Sequence, residues 1–264
     1  MKLTFKISMI LYITLLISCQ SYQYVSCQQY IPLNEKKGEI KSNISLNTIQ
    51  IGYSLTNHLS LYGEYLNRNN TFYEKFAGAE NSGQIGGDNK ILDKNFGISY
   101  FNILKKYKSE ILFGIGKGTY GYDYYIDNPY SNYSSKTDYE FSVDSKKFNL
   151  YIQPNFGYKF IKKLLIGEIG LFSRIYYTRL YDINTSFENN SPTPSKQEHL
   201  IFLNKDNMNF YFLEPGIFLK AGIKYISYQI IFSPQNICLN NKYLKIREKN
   251  ICFGINLNIN LFKQ

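Results

Sequence analysis

The chain has 264 residues, with 30 Lys and Arg against 20 Asp and Glu, and aromatic residues make up 17% of it. A mean hydropathy of −0.30, with only one sustained apolar run, excludes a polytopic helical membrane protein. A hydrophobic content of 44% excludes a wholly disordered chain, and the length fits one large β domain or two smaller domains.

Residues 1–18 predict an export signal of the lipoprotein type. Lys2 and Lys6 form a basic start, and the apolar run at residues 10–17 is far shorter than the roughly 20 residues of a spanning helix. The tripeptide Leu-Ile-Ser directly before Cys19 is typical of a bacterial lipobox, in which the cysteine is acylated and becomes the mature N-terminus. We therefore predict lipidation at Cys19 and a lipidated linker over residues 19–37. Ordinary signal cleavage near Ser26 is the alternative.

From residue 38 onward, apolar and polar residues alternate with a period of two, which is typical of β-strands. The last segment is the clearest, because every second residue from Ile251 to Leu261 is apolar. The pattern predicts a single all-β barrel domain over residues 38–264, with about 10 strands and with 8 or 12 as alternatives. The ten predicted strands are residues 38–47, 48–56, 58–68, 92–102, 108–122, 146–160, 164–180, 208–222, 224–234 and 249–262.

Short and long connections alternate between these predicted strands. Residues 57–58, 104–107, 161–163 and 223–224 are short, whereas 69–91, 123–145, 181–207 and 235–248 are long and polar. This alternation is typical of an antiparallel up-and-down transmembrane β-barrel with short periplasmic turns and long outer loops. Only the tight connection near residues 46–48 departs from it. We predict a cell outer membrane location, with loops at the cell surface and a lipid anchor at the N-terminus.

The polar faces of the strands predict what fills such a barrel. If the more apolar face of each strand meets lipid, the opposite face turns charged and amide side chains into the lumen, where they can satisfy one another. A soluble lipocalin-like barrel with a polar cavity is the alternative. The predicted lumen network consists of Gln50, Glu64, Gln153, Glu168, Arg174, Glu214, Lys220 and Gln229, with inward glycines at 52, 97, 114, 116, 170, 216 and 254.

The C-terminal strand and the export signal predict the cellular partners. Residues 255–262 alternate and end on an aromatic residue, Phe262, close to the end of the chain, which resembles the signal read by the barrel-assembly machinery. The expected partners are outer-membrane lipids and the machineries of barrel assembly and lipoprotein export. Export also excludes nucleic acid as a partner, and the positive charge is scattered over turns and loops.

Several short motifs resemble a group of Gram-negative outer-membrane β-barrel lipoproteins of largely unknown function. The resemblance is spread over most of the mature chain and implies the same fold and location, without implying an activity. In that group the acylated cysteine sits just before a Tyr-x-Pro segment, which would favour Cys27 over Cys19. The motifs are Tyr30-Ile31-Pro32 followed by Glu-Lys-Lys-Gly-Glu-Ile at 35–40, and the segments at residues 53–61, 151–159 and 212–216.

The long connections predict a non-enzymatic protein that is structural or binds through its outer loops. Tyrosines crowd one strand end and its loop, where an aromatic girdle is the alternative to a glycan or protein contact surface. The predicted aromatic surface comprises Tyr122, Tyr124, Tyr125, Tyr130 and Tyr133.

The sequence is also compatible with two other functions. A small channel or porin is one, although side chains nearly fill a barrel of about ten strands. A lipid-modifying enzyme or protease is the other, and its candidate bases are His58 in a short turn and His199 beside Glu198.

No cofactor or metal site is expected. The chain has no Cys-x-x-Cys pair and no His/Cys cluster, and Cys238 with Cys252 is the more plausible disulfide among the remaining cysteines.

Overall fold

The computed structural model describes residue 31 and residues 33–75, 84–127, 138–162, 164–186, 206–233, 237–240 and 250–260. None of these residues belongs to a helix that is long and apolar enough to cross a membrane. The predicted export signal, Cys19, Cys27, Tyr130, Tyr133 and His199 lie outside the described residues.

The described chain is built from β-strands. The strands are β1 (Glu39–Ile44), β2 (Thr48–Ser54), β3 (Leu59–Lys75), β4 (Gln84–Leu104), β5 (Tyr107–Asp127), β6 (Asp138–Lys162), β7 (Leu165–Ser186), β8 (Asn207–Gly222), β9 (Ile226–Ser233), β10 (Ile237–Cys238) and β11 (Asn250–Asn260).

Ten of these strands form a closed antiparallel barrel, which confirms the predicted all-β up-and-down fold. Strands β1 to β9 pair with their neighbours in chain order, and β11 pairs with both β9 and β1 and so closes the ring. The two-residue strand β10 pairs with β8 outside that ring. We call the end with the short connections after β2, β4, β6 and β8 the turn end, and the opposite end the loop end.

Five strands are much longer than the segments of alternating apolar and polar residues that predicted them. A tilted strand crosses a bilayer in about 9–11 residues, whereas β3 to β7 have 17, 21, 21, 25 and 22 residues. The expectation of a long loop over residues 69–91 is therefore wrong, because β3 and β4 pair as far as Lys75 and Gln84. In these extensions the lumen face carries apolar residues such as Ile91 and Val143, so a rule that turns apolar side chains outward does not identify them. Backbone pairing with the next strand holds them extended.

The barrel has a polar interior and an apolar outer face. Outward side chains in the middle of the strands are large and exposed, such as Phe96 at 56% and Phe113 at 51%. The alternate positions are buried in the lumen, and many carry amide or charged groups. Because the strand period is two, one face of each strand is apolar and the other lines the lumen. This distribution is the reverse of that in a soluble barrel.

Candidate functional site

A buried ion pair joins the neighbouring strands β7 and β8 on the lumen side, near the middle of the barrel. Arg174 and Glu214 stand directly opposite each other, and Arg174 Nε and Nη2 lie 2.8 and 2.6 Å from Glu214 Oε2. The guanidinium carbon also lies 5.6 and 5.2 Å from the ring centres of Tyr151 and Tyr176. Such aromatic faces stabilise a cation where water is excluded.

A second polar group lies inside the lumen on strands β2, β3 and β4. The carboxylate of Glu64 accepts hydrogen bonds of 3.0 Å from the amides of Gln50 and Asn95. Gln153 donates to Asn155 at 2.8 Å. These contacts satisfy inward groups that the alternating pattern predicted.

Aromatic side chains fill the lumen between the central ion pair and the loop end. The Tyr62 hydroxyl donates to the Tyr151 hydroxyl across the barrel, and a Cβ on Gly97 or Gly114 would overlap those two side chains. Glycine at these two positions therefore leaves the space that the crossing rings need. The buried layer comprises Tyr62, Leu66, Ile91, Leu112, Tyr120, Tyr122, Val143, Tyr151, Tyr176, Leu180, Phe210 and Phe212.

A fully buried ion pair that the sequence did not reveal lies within this layer. Lys147 Nζ is 2.8 Å from Asp93 Oδ2, and neither side chain is exposed. Asn149 Nδ2 lies 3.4 Å from Asp93 Oδ1, and Thr178 donates to Asn149 at 2.8 Å. Lys147 shares the strand face of Gln153 within the predicted strand 146–160, so the alternation that places Gln153 inside also places Lys147 inside.

The chain before β1 folds into the lumen from the turn end. We call residue 31 and residues 33–38 the N-terminal plug. The backbone N–H of Leu33 donates to Glu110 Oε2 at 2.9 Å, Lys41 Nζ donates to the Leu33 carbonyl at 2.6 Å, and Lys220 donates to the Ile31 carbonyl. Residues 31 and 33–35, which the sequence assigned to a linker, thus reach into the barrel interior, whereas Lys37 of the same segment is exposed.

Apolar packing and backbone geometry fix the plug as well. The side chains of Ile31 and Leu33 are buried against Phe172, Phe218 and Ile231. Leu33 has a φ of 47°, a left-handed conformation that a branched residue adopts only when the surrounding structure imposes it. The plug is therefore held by specific contacts with several strands.

Glu35 forms ion pairs with two lysines of the barrel wall at the turn end of the lumen. Its carboxylate lies 2.7 Å from the ammonium groups of both Lys108 and Lys159. Burial alone would raise the pKa of Glu35, but Lys41 and Lys108, with hydrogen bonds from Lys108 and Lys159, hold the pKa well below its usual value. Because the folded pKa is lowered, this pairing stabilises the fold at neutral pH and is lost only on strong acidification.

Glu168 continues the charged cluster around the plug. It accepts a hydrogen bond from Lys108, and Lys220 Nζ lies 3.9 Å from its other oxygen. A cavity of about 530 Å³ lies at this end, lined by Glu35, Lys41, Lys159, Glu168, Lys220 and the β8–β9 turn among others.

All eight side chains of the predicted lumen network lie buried within the barrel. They do not form one continuous network. Arg174 and Glu214 pair in the middle, whereas Glu168 and Lys220 belong to the cluster at the turn end. The sequence missed Glu35, Lys41, Asp93, Lys108, Glu110 and Lys147 as interior charges.

The predicted aromatic loop surface needs a correction at Tyr122. This residue lies in β5 and is buried in the aromatic layer of the lumen, because it occupies the same inward-facing side of the strand as Tyr120. Tyr124 and Tyr125 also belong to β5. The ring of His58, at the β2–β3 turn, lies 3.2 Å from the Phe101 carbonyl.

The described residues carry no group of three or more His, Cys, Asp or Glu side chains placed to hold a metal ion. The structure does not join Cys238 and Cys252 in a disulfide.

Comparison of the whole chain with models of protein families, with curated proteins and with solved structures found no match.

Proposed function

We propose that this chain is a sealed, non-enzymatic outer-membrane β-barrel lipoprotein, and that its long strands and outer loops form a structural or ligand-binding surface outside the membrane. The observation that carries this proposal is the continuous apolar outer face around a charged and amide-lined interior. In water, such a face would be far larger than the exposed apolar patches of soluble monomers. In a bilayer, the same face is matched to lipid, and the closed ring leaves no unpaired strand edge there.

The residues at the turn end of the apolar outer face also support a position in a membrane. At the turn end, Leu104 and Tyr107 flank the exposed Lys105 and Lys106. Aromatic and basic residues are enriched at membrane–water interfaces, where their apolar parts meet lipid and their polar parts reach water. In this proposal the lipid on Cys19, or on Cys27 as the alternative, anchors the N-terminus on the side of the short turns.

The packed lumen favours a sealed barrel over a channel. In the part of the chain that the structure describes, the N-terminal plug occupies the turn end beside the cavity of about 530 Å³, and the aromatic layer packs the lumen towards the loop end. Between these two layers stand the pair of Arg174 with Glu214 and the hydrogen-bonded Glu64. An ion crossing the barrel would have to displace both layers and break a buried ion pair.

The long strands favour a role outside the membrane. β3 to β7 rise past the apolar band, and their outward side chains become polar there, with exposed ion pairs of Lys90 with Asp123 at 2.9 Å and Lys146 with Asp182 at 2.7 Å. We propose that this wall and its loops contact a glycan or protein ligand, with Tyr124, Tyr125, Tyr130 and Tyr133 as the aromatic part of the surface.

Planar-bilayer recording of the refolded full chain tests whether the barrel is sealed. We expect no stable conductance from the unaltered chain, because two packed layers lie in series. The variant Leu33→Ser/Glu35→Gln, which loosens the plug alone, is also expected to stay closed, since the aromatic layer remains. Lys36→Gln/Lys37→Gln, in the same segment, is the matched control. Stable, ion-selective steps from the unaltered chain would overturn the sealed barrel in favour of the channel.

A further inference from the structure

On one side of the barrel, the apolar outer face ends towards the loop end at a row of outward-facing residues that are paired strand by strand. We refer to the loop end as the upper end and to the apolar outer face as the apolar band. Each residue in the row stands opposite the next one on the neighbouring strand, from β3 to β8. The row is Tyr65, Lys94, Lys117, Phe148, Arg179 and Asn209.

Two lysines stand directly opposite each other in this row. Lys94 on β4 and Lys117 on β5 are cross-strand partners, and both are exposed. Among the described residues, no carboxylate forms an ion pair with either. Like charges that face each other across two strands destabilise a sheet. An anion shared by the two ammonium groups would remove that cost.

The surface directly below the two lysines is an apolar groove. The next outward row down consists of Gly63, Phe96, Ile115, Leu150, Tyr177 and Tyr211, again paired strand by strand. A groove of about 700 Å³ runs over this part of the outer face, and Phe96, Phe113, Ile152 and Ile175 are among the residues that line it. Its walls are apolar side chains of β4 to β8, which suit acyl chains.

Two further cations lie within reach along the same boundary. Arg179 is in the same row, two strands from Lys117, which places it about 10 Å away at the usual strand spacing. Lys146 stands one row higher on the strand between them. Arg179 donates to Asn207 at 3.1 Å, and Lys146 pairs with the exposed Asp182 at 2.7 Å. Lys146 stands at the same register offset from Lys117 and from Arg179, since Phe148 pairs with both, so the four cations form one continuous patch across β4 to β7.

We propose that this surface binds a bisphosphorylated glycolipid of the outer leaflet. One phosphate bridges Lys94 and Lys117, the second reaches Arg179 and Lys146, and the acyl chains lie in the groove below. The inference rests on the proposed function, since it requires the apolar band to lie in a membrane. A lipid with a single phosphate contacts only part of this four-cation patch, whereas a headgroup with two phosphates engages all of it.

Native mass spectrometry of the refolded full chain, titrated with lipid A as the bisphosphorylated probe, tests the proposal. The informative variant is Lys94→Gln/Lys117→Gln. The matched control is Lys105→Gln/Lys106→Gln, which removes the same charge at the opposite end of the same two strands. Lys94→Arg/Lys117→Arg keeps the charge, and phosphatidylglycerol serves as the lipid with one phosphate.

We expect Lys94→Gln/Lys117→Gln to weaken lipid A binding by about tenfold or more, because both ammonium groups that contact the phosphate are removed. The control and the arginine variant should bind as the unaltered chain does, and phosphatidylglycerol should bind more weakly. Equal losses in the test variant and the control, or equal affinity for both lipids, would overturn the proposal. Heat-modifiable mobility on gels reports folding separately, so a barrel that folds in lipid but shows no such difference refutes this inference alone.

Discussion

Replacing Arg174 with Met is expected to lower the free energy of unfolding by about 3–5 kcal/mol, because it leaves the Glu214 carboxylate buried without its counter-charge. Glu214 has no exposed surface, and the two strands that carry the pair hold the residues directly opposite each other. Neither group can turn to water without opening the lumen. The change is measured as a shift in the urea midpoint of the refolded barrel in vesicles.

Two matched variants separate the buried charge from the side-chain volume. Arg179→Met changes an exposed, outward arginine on the same strand and should alter stability by no more than about 0.5 kcal/mol. Arg174→Met/Glu214→Met removes both buried charges and should recover most of the loss, since apolar replacements of a buried pair are often neutral. If Arg174→Met is as mild as Arg179→Met, the lumen is wet at this depth and the sealed interior is wrong.

Replacing Ile152 with Lys is expected to destabilise the barrel in bilayers by about 2–4 kcal/mol, the cost of a lysine on the lipid face near the midplane. Ile152 faces outward on β6, halfway along the apolar stretch. The physical reason is the removal of an ammonium group from water into hydrocarbon. Unfolding in vesicles, followed by gel mobility without heating, gives the size of the effect.

The comparison residue for this change is Asp144, which is also outward on β6 but lies above the apolar band. Asp144→Lys should have almost no effect on stability in the same vesicles. A soluble barrel predicts the opposite pattern for Ile152, because an exposed isoleucine in water tolerates lysine within about 0.5 kcal/mol. Equal and small effects at both positions would therefore refute the lipid-facing assignment.

The barrel and the interior face could be predicted from the sequence because they depend on a period of two. Arg174 and Glu214 stand on strands whose opposite face is largely apolar, so the side that faces the lumen follows directly from the alternation. The same rule identified ten strands and their antiparallel order. Register was not needed for any of these predictions.

The long strand ends and the plug could not be predicted, for two different physical reasons. Towards the loop end the lumen face becomes apolar, with Ile91 and Val143 buried there, so a rule that turns the apolar face outward fails in these strand ends. The plug has no periodicity at all. Ile31 and Leu33 are fixed by contacts with residues far away in the chain, such as Glu110 and Lys220, which only the closed barrel brings together.

The central claim, that the outer face of the barrel meets lipid, is tested most directly by spin labels placed at outward positions along β6. Single cysteines at 144, 148, 152, 156, 160 and 162, in a chain whose native cysteines are replaced by serine, would carry the label. Relaxation by oxygen, which concentrates in the bilayer, is compared with relaxation by a water-soluble nickel complex. We predict that oxygen dominates from 148 to 160 and nickel at 144 and 162. Strong nickel relaxation at 152 and 156 would contradict a membrane-spanning barrel.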